Sequence, residues 1–448
     1  MDNESKIKRI LFVQQELTDW KSARAWGYNF HIGLEEGFAA NGIEVTTLLS
    51  SWFPVARRLC AAKQFDQVWI NDVIHMFEPK GWRHYRLTMP DLEWLATLAP
   101  IRLGFVIESL KYTDNDYREA PFLSNYPNIL KKTLPYLTHV MAIDENDIEC
   151  IRDVCDIPVT LLVPPVPYYN ISRTISLPPT VKPVFRGSPY GERAKWLKIP
   201  FIKELLDHQL NYGNDGDLPE IFDRLHRYLY PQAIQSDNHL IKLYDIYLDS
   251  IRKIRRQSFE IYLNDLRQGG SVVNLPSYGK VFTGRVYEGM AAGRPVITSK
   301  YENRPRMNAL FEDDRDILLF PPDQPEIMAQ QIRKVMDNPD FGRVIATNAM
   351  HKMLNFHTTE KRVCQILEWI ATGREADFDT ILPENDFKPM QSNQTLDIAP
   401  QKLLEQFESG FKKQLTPFNF FKYELFRLKR NLYKLLQRIE AMVRKLIN

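Results

Sequence analysis

Short, continuous apolar runs separated by stretches of helical periodicity carry this chain as far as Thr372. In the first part the runs are Arg9 to Gln14, Glu44 to Leu49, Gln67 to Asn71, Arg102 to Ile107, His139 to Ile143 and Val159 to Val163. In the second they are Val184-Phe185, Ser271 to Leu275, Pro295 to Thr298 and Ile317 to Phe320. Runs apolar throughout, instead of alternating, predict strands buried on both faces, the habit of parallel sheets. One helix, from about Phe30 to Ala40, is predicted to close at Asn41-Gly42, and another, through Val286, Met290 and Ala291, to end at Gly293. Three more helical segments follow Phe320 and end near Thr372. Strands and helices in alternation predict an α/β chain with two Rossmann-like, doubly wound domains.

Proline marks the boundary between them. Pro164, Pro165, Pro167, Pro178, Pro179 and Pro183 crowd one passage, and each fixes φ and withholds an N–H. Residues 166–183 are therefore expected to be an extended hinge between a first domain at 1–165 and a second at 184–372. Residues 205–268 read as a helical insertion in the second domain, with Lys253-Ile254-Arg255-Arg256 as a solvated basic face. Residues 373–416, rich in Asp, Pro, Gln and Asn, read as linker. The segment 417–448 predicts an amphipathic helix, because Phe421, Leu425, Leu428, Leu432, Leu435, Ile439, Met442 and Leu446 recur in alternating steps of four and three.

Charge changes the picture of that last segment. The 448 residues carry +2 in total, yet 417–448 alone holds eight Lys or Arg against two Glu, so the body is acidic. A nucleic-acid partner is not expected, since its basic stripe belongs on the folded body. The basic tail fits an anionic membrane surface, self-association, or packing on its own domain. Cys60, Cys150, Cys155 and Cys364 show neither metal-ligand grouping nor disulfide density, which suits a reducing compartment. The first residues, MDNESKIKRI, lack the apolar core of a signal peptide, and no apolar run reaches the length of a membrane span, about 18 residues. The expectation is a cytoplasmic protein, peripheral at most at the inner face of the membrane.

The candidate chemistry concentrates between Gly270 and Ser299, which reads strand, loop, helix, strand. In a parallel sheet such a loop lies at the carboxyl ends of the strands and the following helix points its N-terminus at the ligand. Tyr278, Lys280 and Arg285 stand in or beside that loop; two cations near a helix start suit a diphosphate, and Glu288 one turn on suits sugar hydroxyls. The bland reading of Arg285 and Glu288 is a surface helix pair worth a few tenths of a kcal/mol. A second turn, Gly187-Ser188-Pro189-Tyr190-Gly191, leads into a helix with Arg193 and Lys195 and again favours an anion, or else is a plain turn. After the first strand there is no Gly-x-Gly-x-x-Gly, which disfavours a dehydrogenase; the polar loop Gln15 to Tyr28 looks instead like an acceptor-side wall.

Thr283 to Ile297, TGRVYEGMAAGRPVI, resembles the donor-site segment of glycosyltransferases with the GT-B fold, and more narrowly that of the spore-maturation-type (CgeB-like) bacterial enzymes. Val184-Phe185-Arg186-Gly187-Ser188 with Arg193 upstream, and the His357-Thr358 to Ile370 helix downstream, match in the same order. The resemblance covers about residues 180–372 well and the first 170 weakly. It implies two Rossmann-like domains facing a cleft, and transfer of a sugar from a nucleotide-diphosphate sugar to a glycan, lipid-linked or protein acceptor, with that donor as substrate and no cofactor. It assigns Arg193, Lys280 and Arg285 to the diphosphate, Gly187 and Ser188 to backbone contact with it, Glu288 to the ribose, and places Tyr278 in the same donor set. No metal is expected, and no Asp-x-Asp to hold one. Lys280 stands where many retaining members carry a Glu, which leaves retaining and inverting outcomes open. An inverting reaction needs a base from the first domain, for which Glu16, Asp19, His31 and Glu108 are candidates. Two other functions fit the same residues: a GT-B-fold sugar-nucleotide epimerase, and a non-catalytic nucleotide-sugar or glycan-binding scaffold.

Overall fold

The structure is a computed structural model that describes residues 7–14, 33–50, 53–61, 63–77, 87–176, 178, 180–209 and 239–378, and beyond them positions 409, 413, 417, 420, 421, 424, 425, 428 and 432. Strands β1 (Arg9–Gln14), β2 (Glu44–Leu49), β3 (Gln67–Ile70), β4 (Ile101–Val106), β5 (His139–Ala142) and β6 (Val159–Leu161) form one sheet in the order β2-β1-β3-β4-β5-β6. Strands β7 (Val184–Arg186), β8 (Asp207–Gln209), β9 (Val272–Asn274), β10 (Val296–Ser299) and β11 (Leu318–Phe320) form a second, in the order β11-β10-β9-β7-β8. Every pairing in both sheets is parallel. The helices of the first half are α1 (Leu34–Ala40), α2 (Phe53–Cys60), α3 (Met89–Ala96), α4 (Asp114–Glu119), α5 (Tyr126–Thr133) and α6 (Asn146–Arg152). Those of the second are α7 (Glu192–Trp196), α8 (Pro200–Leu205), α9 (His239–Gln268), α10 (Gly284–Ala291), α11 (Pro305–Asn308), α12 (Pro325–Asp337), α13 (Pro339–Phe356) and α14 (Thr359–Thr372). These are two doubly wound, Rossmann-like parallel sheets.

Local chemistry sets the element ends. The Thr113 hydroxyl accepts from Asp116 N at 3.2 Å and the Asp116 carboxylate takes Thr113 N at 2.9 Å, a capping box that starts α4. α10 closes in a Schellman turn: Gly293 N donates to Met290 O at 2.9 Å and Arg294 N to Gly289 O at 3.1 Å, with Gly293 at φ 71°. That turn returns the chain directly into β10.

In both sheets strand order reverses once, between β1 and β3 and between β7 and β9. At such a switch point the two connections leave in opposite directions and open a crevice at the carboxyl ends of the strands. In the second sheet the crevice lies beneath Gly187 and the loop 275–283; in the first it lies beneath Asn71-Asp72.

Two long helices tie the halves together. α14 packs Val363, Ile366 and Trp369 against Ile10, Phe12, Phe38 and Trp69, so the last helix of the 184–372 segment is part of the first sheet's core. It is guided there by Val166, whose N donates to His357 O at 2.9 Å and whose O accepts from Thr359 N at 3.1 Å. α9, 30 residues and about 45 Å long, is the other tie. The Tyr244 hydroxyl donates to Thr47 O at 2.8 Å, Arg252 pairs with Glu35 at 2.6 Å, and Arg256 Nε donates to Glu36 at 3.0 Å.

The basic run expected to face solvent does not. Arg255 is 2% exposed and reaches toward Gln14, and Arg256 is neutralised by Glu36; the side chains of Lys253 and Ile254 lie outside the described residues. α1 supplies two carboxylates to this face of α9, Glu36 to Arg256 and Glu35 to Arg252 just upstream of the run. Within 205–268, residues 207–209 form a strand of the second sheet, pairing with β7, instead of belonging to a helical insertion.

Candidate functional site

Arg186, at the end of β7, is buried and spends its guanidinium on Asp207, at 2.8 Å, and on Asp265 of α9. The next residue, Gly187, lies under the guanidinium of Arg285, and a Cβ here would push that guanidinium from its place. Arg285 Nε donates to Arg186 O at 2.8 Å and its Nη1 to Asn274 Oδ1 at 2.8 Å, while its guanidinium carbon lies 4.7 Å from the Phe185 ring centre. Asn274 is held in turn by Thr283, which donates to the same oxygen at 3.0 Å, and by its own amide on Thr298 at 2.9 Å.

Arg193 approaches from α7. It is 4% exposed, its Nε reaches Leu275 O at 3.3 Å, and it lies 4.8 Å over the Tyr190 ring and 6.0 Å from that of Phe185. Burial first, and the nearby charge of Arg285, hold its pKa below the ordinary arginine range. Among the described residues neither Arg193 nor Arg285 is ion-paired. Two cations that share one aromatic ring, with no direct ion pair among the described residues, are costly until an anion arrives.

Glu288 sits one turn into α10, 7% exposed, with Oε2 accepting from the Tyr262 hydroxyl at 3.0 Å. Burial pushes its pKa up to about 7, against the pull of Arg285 and of the Tyr262 hydrogen bond. Tyr278 closes the other side: its ring is 5.6 Å from that of Tyr190 and rests on Gly191, which has φ 56° and no room for a Cβ. Gly187, Arg193, Tyr278, Arg285 and Glu288 thus come together at the switch point of the second sheet. Ser188 stands exposed on the rim, and half-buried Lys280 follows at the loop tip.

The facing wall belongs to the first domain. Half-buried Glu108 follows β4, and Ser109 beside it donates to Asp144 at 2.8 Å. Arg304 crosses from the second domain to Asp144, at 2.5 and 3.0 Å, and Glu145 accepts from Met307 N at 2.6 Å at the start of α11. Asp147 is buried next to them; burial first, then Asp144, push its pKa up to about 8. Glu16, Asp19 and His31 lie outside the described residues.

Sequence reasoning missed a polar line at the other switch point. His75 Nδ1 meets Asp72 at 2.7 Å and its Nε2 meets the Tyr126 hydroxyl at 3.1 Å, all three buried. The available signal was the polar pair Asn71-Asp72 directly after a buried strand. One expectation about metals also needs correction, because Asp114-Asn115-Asp116, Asp215-Gly216-Asp217, Asp314-Arg315-Asp316 and Asp377-Phe378-Asp379 all have the Asp-x-Asp spacing. The Asp116 carboxylate is committed to capping α4 through Thr113, and Asp314 and Asp316 pair with Lys334 and Lys352, while Asp215, Asp217 and Asp379 lie outside the described residues. Among the described residues no group of three His, Cys, Asp or Glu is arranged to hold a metal ion.

With that geometry in place, comparison adds a name for one part of the chain. Residues 251–368 match the family described as glycosyl transferase-like. That glycosyl transferase-like segment contains half of α9, the loop 275–283, α10 and most of α14. Solved structures of similar shape include Anabaena HepE in complex with UDP and glucose, at 12% identity over 82% of this chain and 100% of that one, TM-score 0.46. An alpha-glucosyltransferase in complex with UDP-glucose and DNA containing an abasic site is similar at 13% identity over 82% and 99%, TM-score 0.49. Sucrose-phosphate synthase from Thermosynechococcus elongatus is similar at 14% identity over 82% and 100%, TM-score 0.45. Comparison with curated protein sequences gives no match.

Proposed function

We propose that this chain is a glycosyltransferase that takes a sugar from a nucleotide-diphosphate sugar and passes it to a hydroxyl of a glycan, lipid-linked or protein acceptor. The observation that carries the reading is the pair of arginines, Arg193 and Arg285, neither ion-paired among the described residues, over Phe185 at the switch point, beside Gly187 and the N-terminus of α10. Transfer breaks the bond between the anomeric carbon and the diphosphate, so charge grows on the leaving group. Fixed cations and free helix N–H groups aimed at that charge lower the barrier without reorganising. Arg285 and Arg193 hold the diphosphate, Lys280 at the loop tip adds a third cation, and the Gly187-Ser188 backbone comes close to it. Glu288 accepts from hydroxyls of the ribose.

No metal enters this scheme, and the narrower kinship with spore-maturation-type enzymes is part of the proposal. The glycosyl transferase-like match and the UDP-sugar complexes of the similar structures support it at the level of the donor. Glu108, across the cleft, is the base candidate within the described residues. The segment 417–448 holds the enzyme to an anionic membrane surface at the inner face of a cytoplasmic membrane; its described positions Phe421, Leu425, Leu428 and Leu432 expose their side chains. Salt-sensitive sedimentation with anionic vesicles tests that point, and a salt-insensitive dimer would reassign the stripe to self-association.

The donor site is tested by thermal shift against a panel of nucleoside diphosphates and nucleotide-sugars. A ligand at about 100 times its Kd stabilises the folded form by about 2.7 kcal/mol. One diphosphate should give that shift and Arg285→Ala should abolish it. Absence of any shift in folded protein would refute the reading. A nucleotide-sugar whose sugar is inverted without any acceptor would establish the epimerase instead.

A further inference from the structure

We propose that Tyr262 is a positioning residue of the donor site: from α9, outside the donor motif, it donates the hydrogen bond that keeps the Glu288 carboxylate in the charge state that accepts donor hydroxyls. The proposal rests on the donor-site reading above.

A buried phenol needs an acceptor, and Tyr262, 3% exposed, gives its proton to Glu288 Oε2 at 3.0 Å. The other oxygen, Oε1, lies over the first turn of α10, where a Cβ on Gly284 would stand 3.1 Å away. Gly284 therefore leaves Oε1 room at the helix N-terminus, while Tyr262 fixes its twin. A hydrogen bond donated to a carboxylate favours the ionised form over the acid. Among the described residues, the charged and titratable groups acting on Glu288 include Arg285 from its own helix and Tyr262 from α9. Both oppose a burial strong enough to keep the group half-protonated near neutral pH.

Tyr262 can act as a fixed reference because its helix is anchored on both domains. Asp265, three residues on, takes the buried Arg186 at the end of β7. Upstream, Arg252 and Arg256 are tied to Glu35 and Glu36, and Tyr244 to Thr47 and, at 3.1 Å, to Leu49 N. The Tyr262 ring is further packed against Phe259, centre to centre 6.3 Å. None of these supports is a donor-site group, so the phenol is in place before a donor arrives.

The experiment compares full-length wild type with Tyr262→Phe, following the Glu288 carboxyl by 13C NMR, with Glu288→Gln to assign it. In parallel, affinity for UDP-glucose, ADP-glucose and GDP-mannose is measured by calorimetry from pH 6 to 9. Loss of one hydrogen bond to the charged form should raise the carboxyl midpoint by about one pH unit. Donor affinity should then fall about fivefold at pH 7 and be unchanged at pH 9, where the carboxylate is ionised in both proteins. Equal affinity at pH 9 also shows that the variant is folded. An unshifted midpoint overturns the proposal, as does an affinity loss equal at every pH, which marks a packing role. A shifted midpoint in a protein that binds none of the three nucleotide-sugars would leave the contact real but overturn its donor role and the donor-site reading together.

Discussion

Replacing Glu288 by Gln should stabilise the protein while destroying its donor site. Glu288 is 7% exposed and burial raises its pKa from 4.5 to about 7. A carboxyl whose folded value lies above its unfolded value binds its proton more tightly in the native state. Its contribution is therefore full below about pH 4.5, is withdrawn as pH rises toward 7, and is constant above that. Integrating from pH 5 to pH 8 with those two values gives a loss of about 2.5 kcal/mol in wild type that the amide, which does not titrate, escapes. Comparing the two pH values cancels any packing cost of the amide. The assay is chemical denaturation of both proteins at pH 5 and pH 8, with donor binding measured on the same samples. At about 2–4 °C per kcal/mol in a domain of 150–250 residues, the relative gain of the Glu288→Gln variant at pH 8 is also visible in Tm. If the stability difference between the two proteins is the same at both pH values, the carboxylate is not strained by burial and the reasoning fails. If donor binding survives the substitution, Glu288 is not a donor contact.

Gly187→Ala should cost at least tenfold in donor affinity with a folded protein, because the new methyl takes the place of the Arg285 guanidinium; calorimetry against wild type checks it. Arg304→Ala should destabilise by about 3–5 kcal/mol in denaturant melts against wild type, since it strands the buried Asp144 charge. Turnover, once an acceptor is in hand, should survive EDTA, because the diphosphate is met by arginines; abolition restored by a divalent cation would refute the metal-free scheme.

The sheets and the donor loops were readable because the relevant information is local. Continuous apolar runs gave β1 to β6 nearly residue for residue, since parallel strands buried on both faces leave no polar alternation to confuse them. Gly187 and Arg285 each sit in a strand-turn-helix passage of about ten residues, whose small residues and cations carry a meaning without reference to the rest of the chain. Contacts made across long separations were not readable. Arg256 meets Glu36 over 220 positions and Arg304 meets Asp144 over 160, and no spacing rule reports such a pairing. That is why Arg255, which is buried, and Arg256, which Glu36 neutralises, read as part of a solvated face. α14 failed for a related reason: its apolar stripe says that one face is covered, not which of two sheets covers it.

Those long contacts carry a consequence for catalysis. A cleft between two domains transfers a sugar only when donor and acceptor are held in one geometry, and a misplacement of about 1 Å costs about a hundredfold in rate. Here the donor-site carboxylate is held by Tyr262 of α9, while Arg252 and Arg256 of the same helix are clamped to Glu35 and Glu36 of the first domain. On the opposite rim Lys195 of α7, two residues from Arg193, pairs with Glu119 of α4 at 3.0 Å. On the proposed reading, both groups of donor contacts are therefore referenced to the domain proposed to present the acceptor. The partly exposed Lys195–Glu119 pair is the weaker tie, and the buried carboxylates on α1 are the stronger. Relative motion of the domains should accordingly pivot about α9, opening on the side of α7, where a nucleotide-sugar would enter over Tyr190 and Tyr278.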